Sequence, residues 1–193
     1  IRRKISEEAY DFIHRCCGSY EAQKADAIYR FVQEGLRMGR AVMSHLTAPY
    51  MQTLFAIERN FTNESHFFIE ILRFEELENG TLFGRINPKS EVLPYLADHF
   101  ADRFAGEQWV IADTVHRTVL LHKANYKTVY LSMDEVDMDE LTLTYSEDEK
   151  QLQKLWKLFV DTIAIKERVN PKLQRQMLPL RFRKYMKEFS ESE

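Results

Sequence analysis

Three pairs of residues have the types and spacing for chemistry. Glu64 and His66 stand two apart in "NESHFF" and offer a carboxylate and an imidazole for proton transfer. His99 and Arg103 stand four apart in "YLADHFADRF", so on a helix they share a face and can act as a phosphate-binding or acid–base pair. A solvated polar face opposite Leu96, Phe100 and Phe104 accounts for them at least as well. Asp113 and Arg117 flank a strand end in "WVIADTVHR", where a lone Asp among apolar residues is costly unless paired. An Asp113–Arg117 pair across the turn is the plain explanation. With Arg73, these residues define a candidate inner cluster: Glu64, His66, Arg73, His99, Arg103 and Asp113. Asp113 or Glu64 would be its base, and His99 its acid or electrostatic partner. There is no H-E-x-x-H, C-x-x-C, G-x-S-x-G, G-x-G-x-x-G or G-K-[ST]. Zinc, serine-nucleophile, dinucleotide and P-loop readings therefore have no motif behind them, and no cofactor is expected.

A second kind of chemistry lies in "ERVNPKLQRQMLPLRFRKYMKEF", residues 167–189. It carries seven Lys and Arg against two Glu, or +5, in a chain of net charge −3. The rest of the chain is thus at −8, much of it in "MDEVDMDELTLTYSEDEK", 133–150, with eight acids and one Lys. Arginine presents a planar fork to phosphate, and amides can read base edges. Arg168, Arg175, Arg181, Arg183 and Lys184 are the candidate phosphate contacts, with Arg73, Arg103 and Arg117 as further basic contacts. Asn170 and Gln174 would shape the loop or touch a base. An amphipathic, solvated helix explains the same pattern, and so does an internal match of Arg181 and Arg183 to the acids at 134–140.

The elements that must position these residues are legible in outline. The length suits one domain, 1–193, with a small helical extension. Helices are expected over 6–16, with Ser6 as N-cap and Tyr10, Phe12, Ile13 and Cys17 as stripe, over 20–38, and from Pro49 to about Asn60. In "FFIEILRFEELENGTLFGRI", 67–86, Asn79-Gly80 between two β-prone runs predicts a hairpin. Residues 93–104 return to helical spacing, and "QWVIADTV", "TVLLHK" and "KTVYLSM" read as strands. A long helix follows from Ser146 to Arg168, opened by the Ser146/Glu149 capping box, with Leu152, Leu155, Phe159 and Ile163 inward. A short helix after Pro171 and an amphipathic terminal helix over 181–189 complete the chain. The order predicts an α+β fold: N-terminal helices, a small antiparallel sheet with an inserted helix, and C-terminal helices. No apolar run approaches the roughly 20 residues of a membrane span. Adjacent Cys16 and Cys17, read as two buried thiols, point to the reducing cytoplasm.

The same residues carry a resemblance. "LWKLFVDTIAIKERVNPKLQRQMLPLRFRKYMKEF", "NESHFFIEILRF" (Glu64, His66, Arg73, Phe74), "INPKSEVLPYLADHFADRF" (Pro88, His99, Arg103) and "WVIADTVHR" (Trp109, Asp113, Arg117) resemble, in order and spacing, a bacterial family of DNA-metabolism proteins built on a domain of unknown function. The likeness spans about residues 20–189. It implies DNA as a partner, together with a radical-SAM, helix-hairpin-helix protein acting in DNA repair or modification. In some relatives it implies fusion to a uracil-DNA-glycosylase-like domain. Relatives usually begin with a further strand and helix, so the chain looks truncated at its N-terminus. They also carry a His beside the Asp of the Trp109 strand, where this chain has Ala112.

Three functions follow as expectations. The first is a cytoplasmic accessory protein of DNA metabolism that binds nucleic acid or docks a DNA-acting enzyme. The second is an enzyme acting on a nucleic-acid base in the inner cluster, which requires the base to leave the stack. The third is a protein-interaction module without nucleic-acid contact, its basic tail meeting an acidic partner.

Overall fold

A computed structural model of the chain describes residues 1–135, 144–163, 168 and 170–189. Part of the acidic run, 136–143, and the expected end of the long helix, 164–167, lie outside the described residues. The fold is α+β and divides into two compact units, residues 1–68 with 88–92, and residues 69–87 with 93–193.

The first unit is helical. Helix α1 (Glu7–Gly18) starts where Ser6 Oγ accepts the Ala9 N–H at 3.0 Å, with Glu7 and Glu8 complementing the helix dipole. Its buried stripe is Ala9, Phe12, Ile13 and Cys16, one position off the expected Tyr10–Cys17 stripe. Helix α2 (Lys24–Met38) buries Ala27, Phe31 and Gly35. Gly35 lies against the Ile5 side chain, whose Cδ1 a Cβ there would displace. Phe12 packs against Phe31 and Phe55, with ring centroids 6.0 and 5.2 Å apart.

Helix α3 (Pro49–Ile71) runs well past the expected end near Asn60. Phe61, Glu64, Ser65 and Phe68 are its buried positions here. That 3.6-residue period outweighs the β-propensity of "FFIEI". Only the second half of the expected 67–86 hairpin is therefore a hairpin.

Adjacent residues on a helix point about 100° apart, so Cys16 is buried and Cys17 exposed, rather than both buried. Burial, reinforced by the Glu58 charge, pushes the Cys16 thiol up to about 12. A disulfide-exchange reagent at neutral pH is expected to label one thiol in the native protein and the second only after denaturation. The unfolded thiol ionises near about 8.5, and the folded one holds its proton longer. This contribution to stability is therefore full below about pH 8.5 and is lost as pH rises toward 12. A denaturant titration at rising pH checks the sign.

The second unit is built on one five-stranded sheet in the order β1-β2-β3-β4-β5. The strands are β1 (Phe74–Glu76), β2 (Leu82–Ile86), β3 (Trp109–Asp113), β4 (Thr118–His122) and β5 (Val129–Ser132). The β1–β2 turn uses the expected dipeptide: Asn79 Oδ1 accepts the Thr81 N–H at 2.9 Å, and Gly80 takes φ +76°. The sheet is mixed rather than wholly antiparallel, because β2 and β3 run parallel, with Leu82 opposite Trp109 and Ile86 opposite Asp113. The inserted helix, α4 (Leu93–Arg103), is the cause, since a helical crossover brings the chain back to run in the same direction. β3 is buried along its whole length. Trp109 meets Phe74 and Phe100 at ring-centroid distances of 6.3 and 6.4 Å, while Val110 and Ala112 join Leu77, Phe83 and Val119 in another cluster.

Helix α5 (Glu147–Ile163) has the expected cap, with Ser146 Oγ accepting the Glu149 N–H at 3.1 Å. Its expected inward stripe is overturned: Leu152, Leu155, Phe159 and Ile163 are exposed. The partly buried arc is Glu149, Lys150, Gln153, Lys157 and Val160. Glu149 fixes that rotation by accepting the Glu76 backbone N–H at 3.3 Å and the Gln153 amide at 2.8 Å. Helix α6 (Pro171–Met177) is capped by Asn170, whose Oδ1 accepts the Leu173 N–H at 3.1 Å. The expected terminal helix is instead two single 3-10 turns, Leu180–Phe182 and Lys187–Phe189, with Phe182 of the first and Met186 between them buried.

Candidate functional site

The basic segment has two kinds of cation. Arg183 and Lys187 turn inward. Arg183 Nε donates to the Leu178 carbonyl at 3.0 Å, its Nη1 reaches Gln174 Oε1 at 3.5 Å, and its guanidinium lies 4.4 Å from the Phe189 ring centroid. Lys187 Nζ forms an ion pair with Glu75 Oε1 at 2.5 Å. Glu75, a buried carboxylate of β1, also takes Arg85 Nη2 on Oε2 at 3.1 Å. Arg85 donates in turn to the Tyr145 hydroxyl at 2.8 Å and lies over the Tyr185 ring at 5.2 Å. Burial, then the Glu75 carboxylate, push Tyr145 up to about 12, so it stays a neutral phenol in this network. Glu75, Arg85, Tyr145 and Lys187 thus clamp the Lys187–Phe189 turn onto the sheet.

Arg168, Lys172, Arg175, Arg181 and Lys184 are exposed. Lys172 and Arg175, three apart on α6, share a face. Asn170 is occupied as the α6 cap and Gln174 lies against Arg183, so both amides position the segment.

The segment is tied to the carboxyl ends of the one parallel pair among the described strands. Asn87 Nδ2 donates to the Arg181 carbonyl at 3.0 Å, just past β2, and the Thr114 hydroxyl meets the Tyr185 hydroxyl at 3.0 Å, just past β3. In open sheets, the carboxyl ends of parallel strands are the usual ligand-binding edge. Asp113 ends β3 there. Its carboxylate is almost fully buried: Oδ1 accepts the N–H groups of Val115 (2.9 Å) and His116 (3.1 Å), and Oδ2 lies 2.7 Å from His116 Nδ1. A carboxylate only accepts, so Nδ1 carries the proton and the basic lone pair of the neutral ring is on Nε2. The expected Asp113–Arg117 pair does not form. Arg117, at φ +55°, instead pairs with Asp134 at 2.7 Å, and both of those side chains are exposed. His116 was missed because it sits in a turn, outside any periodic pattern; D-x-x-H at a strand end was the available signal.

The other expected site residues belong to both units. Glu64 and His66 belong to the first unit, where Glu64 accepts the N–H groups of Lys89 and Ser90 at 3.0 and 3.1 Å and so holds the 88–92 loop. His66 is exposed on α3. In the second unit His99 contacts Phe100 edge-on, at 5.0 Å, and the Arg103 guanidinium lies 5.6 Å from the Phe104 ring. Arg103 ends α4 just before β3 begins, whereas Asp113 ends β3, about 13 Å further along the strand. Arg73 is exposed and donates to the Glu70 carbonyl at 3.4 Å. No group of three or more His, Cys, Asp or Glu suited to a metal occurs among the described residues. Nor is any described helix long and apolar enough to cross a membrane.

Residues 22–188 match the family described as a domain of unknown function (DUF4130), and the chain belongs to that family. No curated protein matches the chain, and no solved structure does.

Proposed function

We propose that this chain is a cytoplasmic accessory protein of DNA metabolism that meets nucleic-acid phosphate through its C-terminal segment. The observation that carries the reading is the division of the basic segment. Arg183 and Lys187 are turned inward, whereas Arg168, Lys172 and Arg175 are exposed, as are Arg181 and Lys184, which also lie against the rings of Phe182 and Tyr185, in a chain of net charge −3. Phosphate binding requires exposed cations. DNA as the nucleic acid, and a radical-SAM, helix-hairpin-helix enzyme as the partner it serves, rest on the resemblance of the closing "RVNPKLQRQMLPLRFRKYMKEF". The expected result is binding of a fluorescent oligonucleotide, with log K falling against log salt by about 0.7–0.9 per phosphate contact and a slope near −4 if all five cations engage. Absence of binding at low salt would remove the reading.

A second reading is favoured by the Asp113–His116 pair, in which an oriented imidazole stands at the carboxyl end of β3. An enzyme acting on a nucleic-acid base would use His116 Nε2 as its general base, held by Asp113. Loss of base release or modification in His116→Gln, with DNA affinity retained, is the result that reading requires.

A further inference from the structure

From Thr114 to Met133 the chain has no Asp or Glu, although it holds 30 of them in all, so nothing in this stretch repels an anion. Arg117, Lys123 and Lys127 stand within it. Arg117 is paired with Asp134, whereas Lys123 and Lys127 are exposed in the loop that joins β4 to β5.

The loop holds its side chains in place. The Tyr126 N–H donates to the Lys123 carbonyl at 2.9 Å, and Asn125 between them takes φ +66°, a conformation asparagine tolerates. Thr128 Oγ1 lies 3.2 Å from His122 Nδ1 and ties the foot of the loop to the buried end of β4. The turn brings residues 123 and 126 together, with the Lys123 ammonium 5.6 Å from the Tyr126 ring centroid. Four residues on, Tyr130 stands opposite Leu120 on β5, the outer strand of the sheet. The chain sets the two tyrosines at most about 14 Å apart. Tyr126 is 67% exposed and Tyr130 44%.

Single exposed rings are ordinary. Two rings and two cations in one acid-free hairpin have both parts of a single-strand contact: faces on which unpaired bases stack, and ammonium groups for the phosphates between them. A paired base keeps its faces inside the duplex stack and offers such a ring little. An acidic peptide would use the lysines and leave the rings in water. We infer that the β4–β5 hairpin is a contact for single-stranded nucleic acid, in which Tyr126 and Tyr130 stack on unpaired bases while Lys123 and Lys127 meet phosphates. The inference rests on the phosphate reading above and adds a strand preference to it. The C-terminal cations meet phosphate in either form, and the hairpin favours the single strand.

Binding of a labelled oligothymidylate and of a duplex of equal length, each over a salt series, tests this on the intact chain. Wild type is expected to bind the single strand more tightly. Tyr126→Ala should lower single-strand affinity about five-fold or more and leave duplex affinity unchanged. Tyr126→Phe keeps the ring and should bind as wild type does. Lys123→Ala/Lys127→Ala should flatten the single-strand slope of log K against log salt by about one to two units. These side chains are exposed, so the circular dichroism spectra should match that of wild type. Bromodeoxyuridine in the single strand should cross-link to residues 123–130 under ultraviolet light. Full single-strand affinity in Tyr126→Ala, or cross-links confined to 168–189, overturns the hairpin contact and leaves the phosphate reading standing. Equal competition by polyglutamate of matching charge overturns it in favour of an acidic partner. Absence of oligonucleotide binding by wild type overturns both readings.

Discussion

Asp113→Ala is expected to destabilise the second unit by about 1–3 kcal/mol, because it strips a buried acceptor from three part-buried donors. The Val115 and His116 amides and the His116 Nδ1 proton all point at this carboxylate. They fix the turn that reverses β3 into β4, so the loss falls on the local fold as well as on the imidazole. Asp113→Asn separates the two effects. Its amide oxygen still serves both backbone N–H groups, so it should cost less, yet it removes the charge that orients His116. Both tryptophans, Trp109 and Trp156, belong to the second unit, so denaturant unfolding followed by their fluorescence reads this unit. Equal stability of Asp113→Ala and wild type would show that the pair is not structural.

Trp109→Ala is expected to be at least as damaging, about 3–5 kcal/mol by the usual cost of deleting a large core aromatic. Trp109 is fully buried where β3 starts, stacked 4.9 Å from His122 and flanked by Phe74 and Phe100. It joins helix α4 and strands β1, β3 and β4 in one contact, so its removal leaves a cavity that no single side chain can collapse into. Trp109→Phe should lose less. Thermal unfolding by circular dichroism checks both, and a Trp109→Ala midpoint within error of wild type would contradict this assignment of the core.

Local signals in the sequence were reliable where they concern neighbours. Ser6 caps α1, Ser146 caps α5, and Asn79-Gly80 turns a hairpin, each through contacts within three residues. What depends on distant partners was not legible. The parallel pairing of β2 and β3 depends on where the crossover through α4 returns, which no period encodes. Periodicity found the apolar stripe of α5 but could not say which way it faces. That was decided by Glu149 reaching a backbone amide 73 residues away. Composition likewise counted Arg183 and Lys187 with the other cations, although aromatic and carboxylate partners hold them inward. The partners of the candidate site residues were hidden for the same reason. Glu64 is consumed by the 88–92 loop, and the histidine that Asp113 meets is His116 rather than His99.

The central claim is that exposed and inward cations of one segment do different work. It is tested most directly by the salt dependence of oligonucleotide binding in two variants. Lys172→Ala/Arg175→Ala removes exposed charge and should flatten the slope of log K against log salt by about one to two units, with unfolding unchanged. Arg183→Ala/Lys187→Ala removes inward charge and should lower stability while leaving the slope of the remaining folded protein near that of wild type. If the first variant keeps the full wild-type slope, the segment does not face phosphate and the account is wrong.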